Sequence, residues 1–98
     1  MTERGSTYKW RRIRQAARAA DAANQNPCWL CGQRINYTIT EGPNSWEPDH
    51  YWPVSIRPDL LLERANIRPS HSRCNRARGN TPPHQLAEHA IGLQSRAW

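Results

Sequence analysis

Two short segments, Cys28-Trp29-Leu30-Cys31 and His71-Ser72-Arg73-Cys74, each place two metal-ligating side chains three positions apart. Two such pairs can hold one ion from two directions, and three thiolates with one imidazole form a tetrahedral ligand set that suits zinc. Four protein ligands leave no position for water, so the ion would hold the fold rather than perform catalysis. We therefore predict a structural zinc site formed by Cys28, Cys31, His71 and Cys74.

The number and setting of the cysteines favour metal binding over disulfides. Three cysteines cannot all pair within one chain, and the polar N-terminal sequence lacks a secretory signal, which predicts a reducing cytoplasm. The alternative is a redox pair at Cys28 and Cys31 with His71 on the surface, but it leaves Cys74 without a role. No apolar run approaches the roughly 18 residues of a membrane span, which excludes a membrane protein.

The chain is small and basic. Its 98 residues carry 14 Lys+Arg and 8 Asp+Glu, a formal charge of +6, and only 37% are hydrophobic, with no Phe. Such a chain has a thin core, for which a structural ion would compensate. All but one of the basic residues are arginines, and guanidinium groups suit bidentate phosphate contacts. We expect one domain over residues 1–98 with a nucleic-acid partner.

Hydrophobic periodicity predicts the elements around the metal ligands. Residues 7–23 are predicted as an N-terminal basic helix, with Trp10, Ile13, Ala17 and Ala20 along one side and a frayed segment before it. The core at residues 28–79 is predicted to contain short elements, namely strands over 35–39, 46–55 and 65–69, a helical turn over 59–64 and a helix over 72–78 ended by Gly79. The C-terminal segment, residues 80–98, is predicted to hold a helix over 84–91.

Three arginines of the N-terminal helix form a row next to its apolar side. Arg11, Arg14 and Arg18 repeat with helical spacing, and no acid lies four residues away until Asp21. The row is either a solvated face or a contact with a polyanion. We predict that it contacts DNA.

A carboxylate and an imidazole lie side by side at Asp49-His50, between the two metal-ligand pairs. On a strand, neighbouring side chains point to opposite faces, so both can line one surface only if the strand bends, as Pro48 and Pro53 would allow. An Asp-His dipeptide alone usually lies on the surface without a functional role. This one gains weight because Asn66 and Asn75 follow it.

The chain resembles the HNH endonuclease family from about residue 28 to residue 79. The resemblance is carried by the two ligand pairs and by Asp49-His50, Asn66 and Asn75 in that order. The resemblance implies an α+β fold, a small ββα-metal (His-Me finger) unit with structural zinc, here preceded by the basic helix and followed by a C-terminal helix. The chain looks most like small HNH proteins of tailed phages and their hosts. It departs from them in having His71 in a pair that is commonly Cys-x-x-Cys, and Asn75 where His is frequent.

The resemblance implies a metal-dependent DNA endonuclease that hydrolyses phosphodiester bonds by nicking. His50 would be the general base, and Asp49 and Asn75 would hold one divalent ion. An amide oxygen at Asn75 suits a hard cation, so Mg²⁺ or Mn²⁺ is expected. Asn66 would brace the loop and backbone around His50; a purely structural turn residue is the alternative.

Other residues extend this interpretation. Arg78, three positions after Asn75, would clamp the scissile phosphate, and Arg73 and Arg76 would bind flanking phosphates, unless these charges are only solvated. The tryptophans Trp29, Trp46 and Trp52 are predicted as core residues in place of Phe, with base stacking as the alternative.

Two functions of other classes compete with the nuclease. One is a zinc-stapled DNA-binding module without chemistry, and the other is an RNA-binding zinc knuckle. Both leave Asp49, His50 and Asn75 without a role. Analogy with phage HNH proteins further suggests DNA packaging beside terminase subunits in the host cytoplasm.

Overall fold

A two-stranded antiparallel sheet lies between two helices in the computed structural model, which describes the backbone of residues 2–86 and the side chains from residue 7. The elements are helix α1 (Thr2–Asn24), strand β1 (Trp46–His50), strand β2 (Ile67–His71) and helix α2 (Ser72–Arg78), with single 3₁₀ turns at Pro58–Leu60, Arg64–Asn66 and Pro83–Gln85. The α+β prediction is confirmed. No helix within residues 2–86 is long and apolar enough to cross a membrane.

The hairpin of β1 and β2 places two prolines opposite each other, Pro48 and Pro69. A proline has no N–H to donate, so it fits a sheet where the backbone groups point away from the paired strand. Both carbonyls indeed bond outside the hairpin. That of Pro69 accepts from the Trp29 backbone N–H at 2.9 Å, and that of Pro48 accepts from the Asn75 amide at 3.4 Å. The prolines thereby dock both flanking segments onto the sheet.

The side chains of β1 alternate between the two helices. Trp46 and His50 point toward α1, whose Asp21 carboxylate accepts the Trp46 indole N–H at 2.9 Å. Glu47 and Asp49 point toward α2, where both have side-chain hydrogen bonds. Period-two alternation therefore assigns Asp49 and His50 to opposite faces of the sheet.

Few hydrophobic side chains are buried, and the metal ligands are prominent among them. The buried hydrophobic residues of the described part are Ala17, Cys28, Leu30, Cys31, Ile35, Trp46, Ile67, Cys74 and Leu86. Three of the nine are cysteines, which agrees with the thin core expected from composition. Trp46 is a core residue as predicted, and Trp29 is half-buried but packs against the core, whereas Trp52 is half-buried outside that cluster.

Both predicted hairpin strands extend too far into the loop, and the second also stops short of the observed strand end at His71. The strand predicted over 46–55 stops at residue 50, and the one predicted over 65–69 runs from 67 to 71. The reason is Asn66. Its carbonyl still accepts the Tyr51 N–H at 2.7 Å, but its own N–H donates to the Glu63 carbonyl at 2.9 Å and its side-chain oxygen accepts the Trp52 N–H at 2.9 Å, which ends the ladder.

The strand predicted over 35–39 is wrong, because this segment forms turns. The side-chain oxygen of Asn36 accepts the Thr38 backbone N–H at 3.0 Å, a local bond that competes with strand pairing. The helix start predicted at residue 7 is also wrong, since α1 begins at Thr2.

The predictions near the C-terminus have mixed outcomes. The helix over 72–78 is confirmed, and Gly79 ends it with φ 58° and its N–H bonded to the Asn75 carbonyl at 3.2 Å. The helical turn predicted over 59–64 is not continuous, and 3₁₀ turns at Pro58–Leu60 and Arg64–Asn66 overlap its two ends. Most of the helix predicted over 84–91 lies outside the described residues.

Candidate metal centre and active site

The four predicted zinc ligands meet in the interior. The ligand atoms of Cys28, Cys31, His71 and Cys74 all lie within 4.8 Å of one another, and all four residues are buried. Cys28 and Cys31 come from the turn after α1, while His71 ends β2 and Cys74 lies in the first turn of α2. A Cys₃His set of this kind can hold a zinc ion.

His71 is oriented for this role. Its Nδ1 lies 3.3 Å from the Cys31 sulfur and 3.7 Å from the Cys74 sulfur. Its Nε2 lies 2.5 Å from the Arg34 carbonyl, which can only accept, so Nε2 carries the proton and Nδ1 presents a lone pair. Burial lowers the pKa of His71, which favours the neutral, ligating form.

The thiols lie in an environment that favours metal binding over free thiolates. Burial raises the pKa of Cys28, and burial together with the Cys28 and Cys31 sulfurs raises the pKa of Cys74 to about 12. A zinc ion displaces these protons, because the thiolate is the ligand. The Arg73 guanidinium lies 3.6 Å from the Cys74 sulfur, where it offsets negative charge.

A cavity of about 190 Å³ lies between the end of β1, the loop at residues 53–55 and the end of α2. It is bordered by three of the predicted site residues, Asp49, His50 and Asn75. Asp49 and His50 point to opposite faces of the sheet, yet both reach this cavity because it lies where the strand ends and the chain turns. The three residues assigned to chemistry in the sequence therefore share one concave surface.

His50 is held by two contacts. Its Nε2 lies 3.0 Å from the Leu61 carbonyl, which can only accept, so Nε2 donates and Nδ1 is the ring nitrogen with a free electron pair. The ring also stacks on Trp10 of α1, with centroids 5.1 Å apart and planes at 28°. This tautomer and orientation suit a general base.

Asp49 is buried, and its two carboxylate oxygens have different surroundings. Oδ2 accepts from the Trp29 indole at 2.8 Å and from the Arg78 guanidinium at 2.7 Å. No buried side-chain oxygen of the described residues lacks a partner, so Oδ1, for which the described residues supply no donor, is accessible. Burial raises the Asp49 pKa, while Arg78, the Trp29 hydrogen bond and His50 oppose the shift. Asp49 can thus offer one oxygen to a cation.

The side-chain amide of Asn75 likewise has one hydrogen-bonded atom and one atom without a protein donor among the described residues. Its Nδ2 donates to the Glu47 carboxylate at 2.9 Å and to the Pro48 carbonyl at 3.4 Å, which orients the amide. The side-chain oxygen has no donor among the described residues. Asp49 and Asn75 can therefore each offer one oxygen, which is the ligand type that Mg²⁺ and Mn²⁺ prefer.

Asn66 contacts the loop that follows His50. Its Nδ2 donates to the carbonyls of Trp52 at 3.1 Å and Leu60 at 3.5 Å, and its Oδ1 accepts from Trp52. Leu60 adjoins Leu61, whose carbonyl bonds to the His50 ring. Asn66 thus links both ends of the loop that positions His50.

The prediction that Arg78 clamps a phosphate is wrong, because Arg78 is 2% exposed. Besides its ion pair with Asp49, its guanidinium donates to the carbonyls of His50 at 2.7 Å, Tyr51 at 2.6 Å and Thr81 at 3.1 Å. Every one of these acceptors belongs to the protein. Arg78 is therefore an internal strut that holds the end of β1 against α2.

Arg18 also differs from its prediction as part of a DNA-binding row. It is half-buried, and its guanidinium donates to the carbonyls of Tyr37 at 2.9 Å and Ile39 at 3.2 Å. Arg11 and Arg14 remain exposed. Arg73 and Arg76 on α2 are exposed as well, although Arg73 donates to Asn44 at 3.1 Å.

A larger cavity of about 480 Å³ lies beside the metal cluster, bordered by Arg34, His71 and Arg73 among other polar residues. None of the candidate catalytic residues borders it. Cavity size therefore does not single out the candidate site, because the predicted catalytic residues border the smaller of these two cavities.

Sequence reasoning missed three contributors to the site. Trp10 was assigned only to an apolar helix face, and the Leu61 carbonyl carries no sequence signal. Glu47, which orients Asn75, could have been found, because it lies two positions before Asp49 and hence on the same strand face.

Comparison with protein-family models, curated proteins and solved structures finds no match to this chain.

The metal centre leads to the first testable prediction. The purified protein should contain one zinc per chain, and His71→Ala or Cys74→Ser should lose the ion and unfold, because zinc affinity is part of the folding free energy. Metal content by mass spectrometry and far-UV circular dichroism measure both effects. His84→Ala, which removes an exposed imidazole, is the control. A folded, zinc-free Cys74→Ser protein would contradict the structural role.

The buried ion pair leads to the second. Arg78→Ala should lower the free energy of unfolding by about 3–5 kcal/mol, because it leaves the Asp49 carboxylate buried without its cation. Arg78→Lys should recover only part of this loss, since an ammonium cannot reach all the acceptors. Urea unfolding at fixed zinc concentration measures the change. Arg76→Ala, an exposed neighbour on α2, should shift stability by less than about 0.5 kcal/mol. Equal urea midpoints of unfolding for Arg78→Ala and Arg76→Ala would contradict the structural role of Arg78.

Proposed function

We propose that this protein is a metal-dependent phosphodiesterase acting on DNA, and more particularly a zinc-framed endonuclease of HNH type. The observation that carries the proposal is the meeting of Asp49, His50 and Asn75 at one cavity, with a free electron pair on His50 and one accessible oxygen each on Asp49 and Asn75. A binding module has no need of this combination.

In the proposed reaction, His50 removes the proton from an attacking water. The bond of Nε2 to the Leu61 carbonyl leaves Nδ1 as the proton acceptor, which suits a general base. The water oxygen then forms a bond to phosphorus while the bond from phosphorus to the 3′ oxygen breaks. The leaving oxygen takes a proton from solvent, which yields a 3′-hydroxyl and a 5′-phosphate.

Asp49 and Asn75 would hold one divalent cation, Mg²⁺ or Mn²⁺. A cation bound there would polarise the phosphate and offset the charge that accumulates on the leaving oxygen. Arg78 neutralises part of the Asp49 charge and binds Oδ2, so the carboxylate would contribute a single oxygen. Two protein oxygens leave the remaining positions for water and phosphate, which is the usual arrangement for Mg²⁺.

The exposed arginines supply a surface for the DNA backbone. Arg11 and Arg14 lie on the helix whose Trp10 contacts His50, and Arg76 lies on the helix that carries Asn75. Phosphate contacts of this type position the duplex without reading its sequence. We therefore propose binding of low sequence specificity; DNA packaging and terminase subunits stay predictions from analogy.

The nuclease proposal predicts metal-dependent nicking. Purified zinc-loaded protein should convert supercoiled plasmid to open circles when Mg²⁺ or Mn²⁺ is added. His50→Ala should lower the rate by about 10²- to 10⁴-fold, the usual contribution of a general base. DNA affinity should be retained in the variant.

His84→Ala should cut like the wild type, because His84 is exposed and does not border the cavity. If the wild type leaves plasmid intact with either cation, or if His50→Ala cuts equally well, the nuclease assignment fails. Retained DNA or RNA affinity would then favour the non-catalytic binding module.

The basic surface of α1 leads to a further prediction. Reversing two charges in Arg11→Glu/Arg14→Glu should weaken DNA binding and reduce the slope of log K against log salt by about 2, because each lost phosphate contact contributes about 0.9. Arg57→Glu/Arg64→Glu changes the net charge equally, and Arg57 is already paired with Asp59 at 2.8 Å. Equal effects of the two double variants on the slope would contradict DNA binding by the arginines of α1 and would indicate that they are only solvated.

A further inference from the structure

We infer that Trp10 of α1 is a positioning residue for the His50 imidazole, so that the N-terminal helix is part of the active site. This inference rests on the proposed function, because it assigns Trp10 a role in the reaction of His50. The observation behind it is the stacked contact between the two rings, whose centroids lie 5.1 Å apart with planes at 28°.

The two contacts of His50 constrain different motions. The bond from Nε2 to the Leu61 carbonyl holds one ring atom at 3.0 Å and selects the tautomer, but it still permits rotation about the line of that bond. A flat aromatic surface against the imidazole opposes this rotation, because tilting the ring would break the stack. Together the contacts fix both the direction and the plane of the Nδ1 electron pair.

Trp10 can be removed without detaching α1, because the helix has other anchors. Ala17 is fully buried, the Asp21 carboxylate accepts from the Trp46 indole at 2.9 Å, and Arg18 donates to two carbonyls of the loop after the metal-binding turn. These contacts lie along the later turns of α1. A loss of activity on changing Trp10 can therefore be separated from loss of the helix.

The test compares Trp10→Leu, Trp10→Phe and Ile13→Ala in the full-length, zinc-loaded protein. Trp10→Leu removes the aromatic surface and Trp10→Phe retains part of it. Ile13→Ala removes a side chain that packs against the core from the same face of the helix but has no ring to stack on His50. Nicking kinetics on plasmid with Mg²⁺ give kcat and KM, and circular dichroism checks folding.

We expect Trp10→Leu to lower kcat by about five- to tenfold with KM nearly unchanged, the size expected for one aromatic contact. Trp10→Phe should recover most of the loss, and Ile13→Ala should have a kcat close to that of the wild type. If Ile13→Ala lowers kcat as much as Trp10→Leu, or if Phe rescues nothing, Trp10 acts only through helix docking and the inference is wrong.

A second readout does not depend on nuclease activity. In the NMR spectrum of the zinc-loaded protein without DNA or added Mg²⁺, the carbon-bound ring protons of His50 should be shifted upfield by the Trp10 indole. His50→Gln assigns these signals by their disappearance. Trp10→Leu should move them toward ordinary histidine positions, whereas Ile13→Ala should not.

The two readouts separate the two ideas. A chain that does not cut DNA but shows the Trp10-dependent shift would overturn the proposed function and leave the ring contact intact. A chain that cuts DNA, with His50 signals and kcat both insensitive to Trp10→Leu, would overturn the inference alone.

Discussion

The convergence of Cys28, Cys31, His71 and Cys74 is the constraint on which the rest of the structure depends. Three of the nine buried hydrophobic residues of the described part are its cysteines, so this core cannot be separated from the metal centre. The cluster joins the turn after α1 to the end of β2 and the start of α2. A chain of this size buries little apolar surface, and ligand bonds to one bound ion would supply a cross-link that packing alone does not.

The candidate active site is built on the same strands and helix as the candidate metal centre. The candidate metal ligands His71 and Cys74 lie at the end of β2 and in the first turn of α2, while Asp49 and His50 lie at the loop end of β1 and Asn75 directly follows Cys74 in α2. Arg78 stabilises this end of the hairpin, because its guanidinium donates hydrogen bonds to the Asp49 carboxylate and to the carbonyls of His50 and Tyr51. A rigid, buried support of this kind is what a site needs to keep its reacting groups in fixed geometry.

Much of the metal centre and of the secondary structure could be predicted from local pattern. The spacing of Cys28-x-x-Cys31 and His71-x-x-Cys74 indicated the ligand cluster, and the Ser72–Arg78 helix ending at Gly79 followed from standard helix signals. Strand ends were predicted less well, because the Asn66 side chain accepts the Trp52 backbone N–H and the ladder ends there. No periodicity records such a bond.

The sequence by itself determined the donor types, the metal-ligand spacing, the excess of arginine and the shortage of apolar residues, since these are properties of composition and order. Only the tertiary structure decided what each arginine does. Arg78 and Arg18 look like phosphate ligands in the sequence but bond to acceptors within the protein, while Arg11 and Arg14 stay exposed. The stack of Trp10 on His50 was likewise decided by packing. Guanidinium and aromatic groups serve equally well inside and outside a protein, so their roles depend on which partners the fold brings within reach.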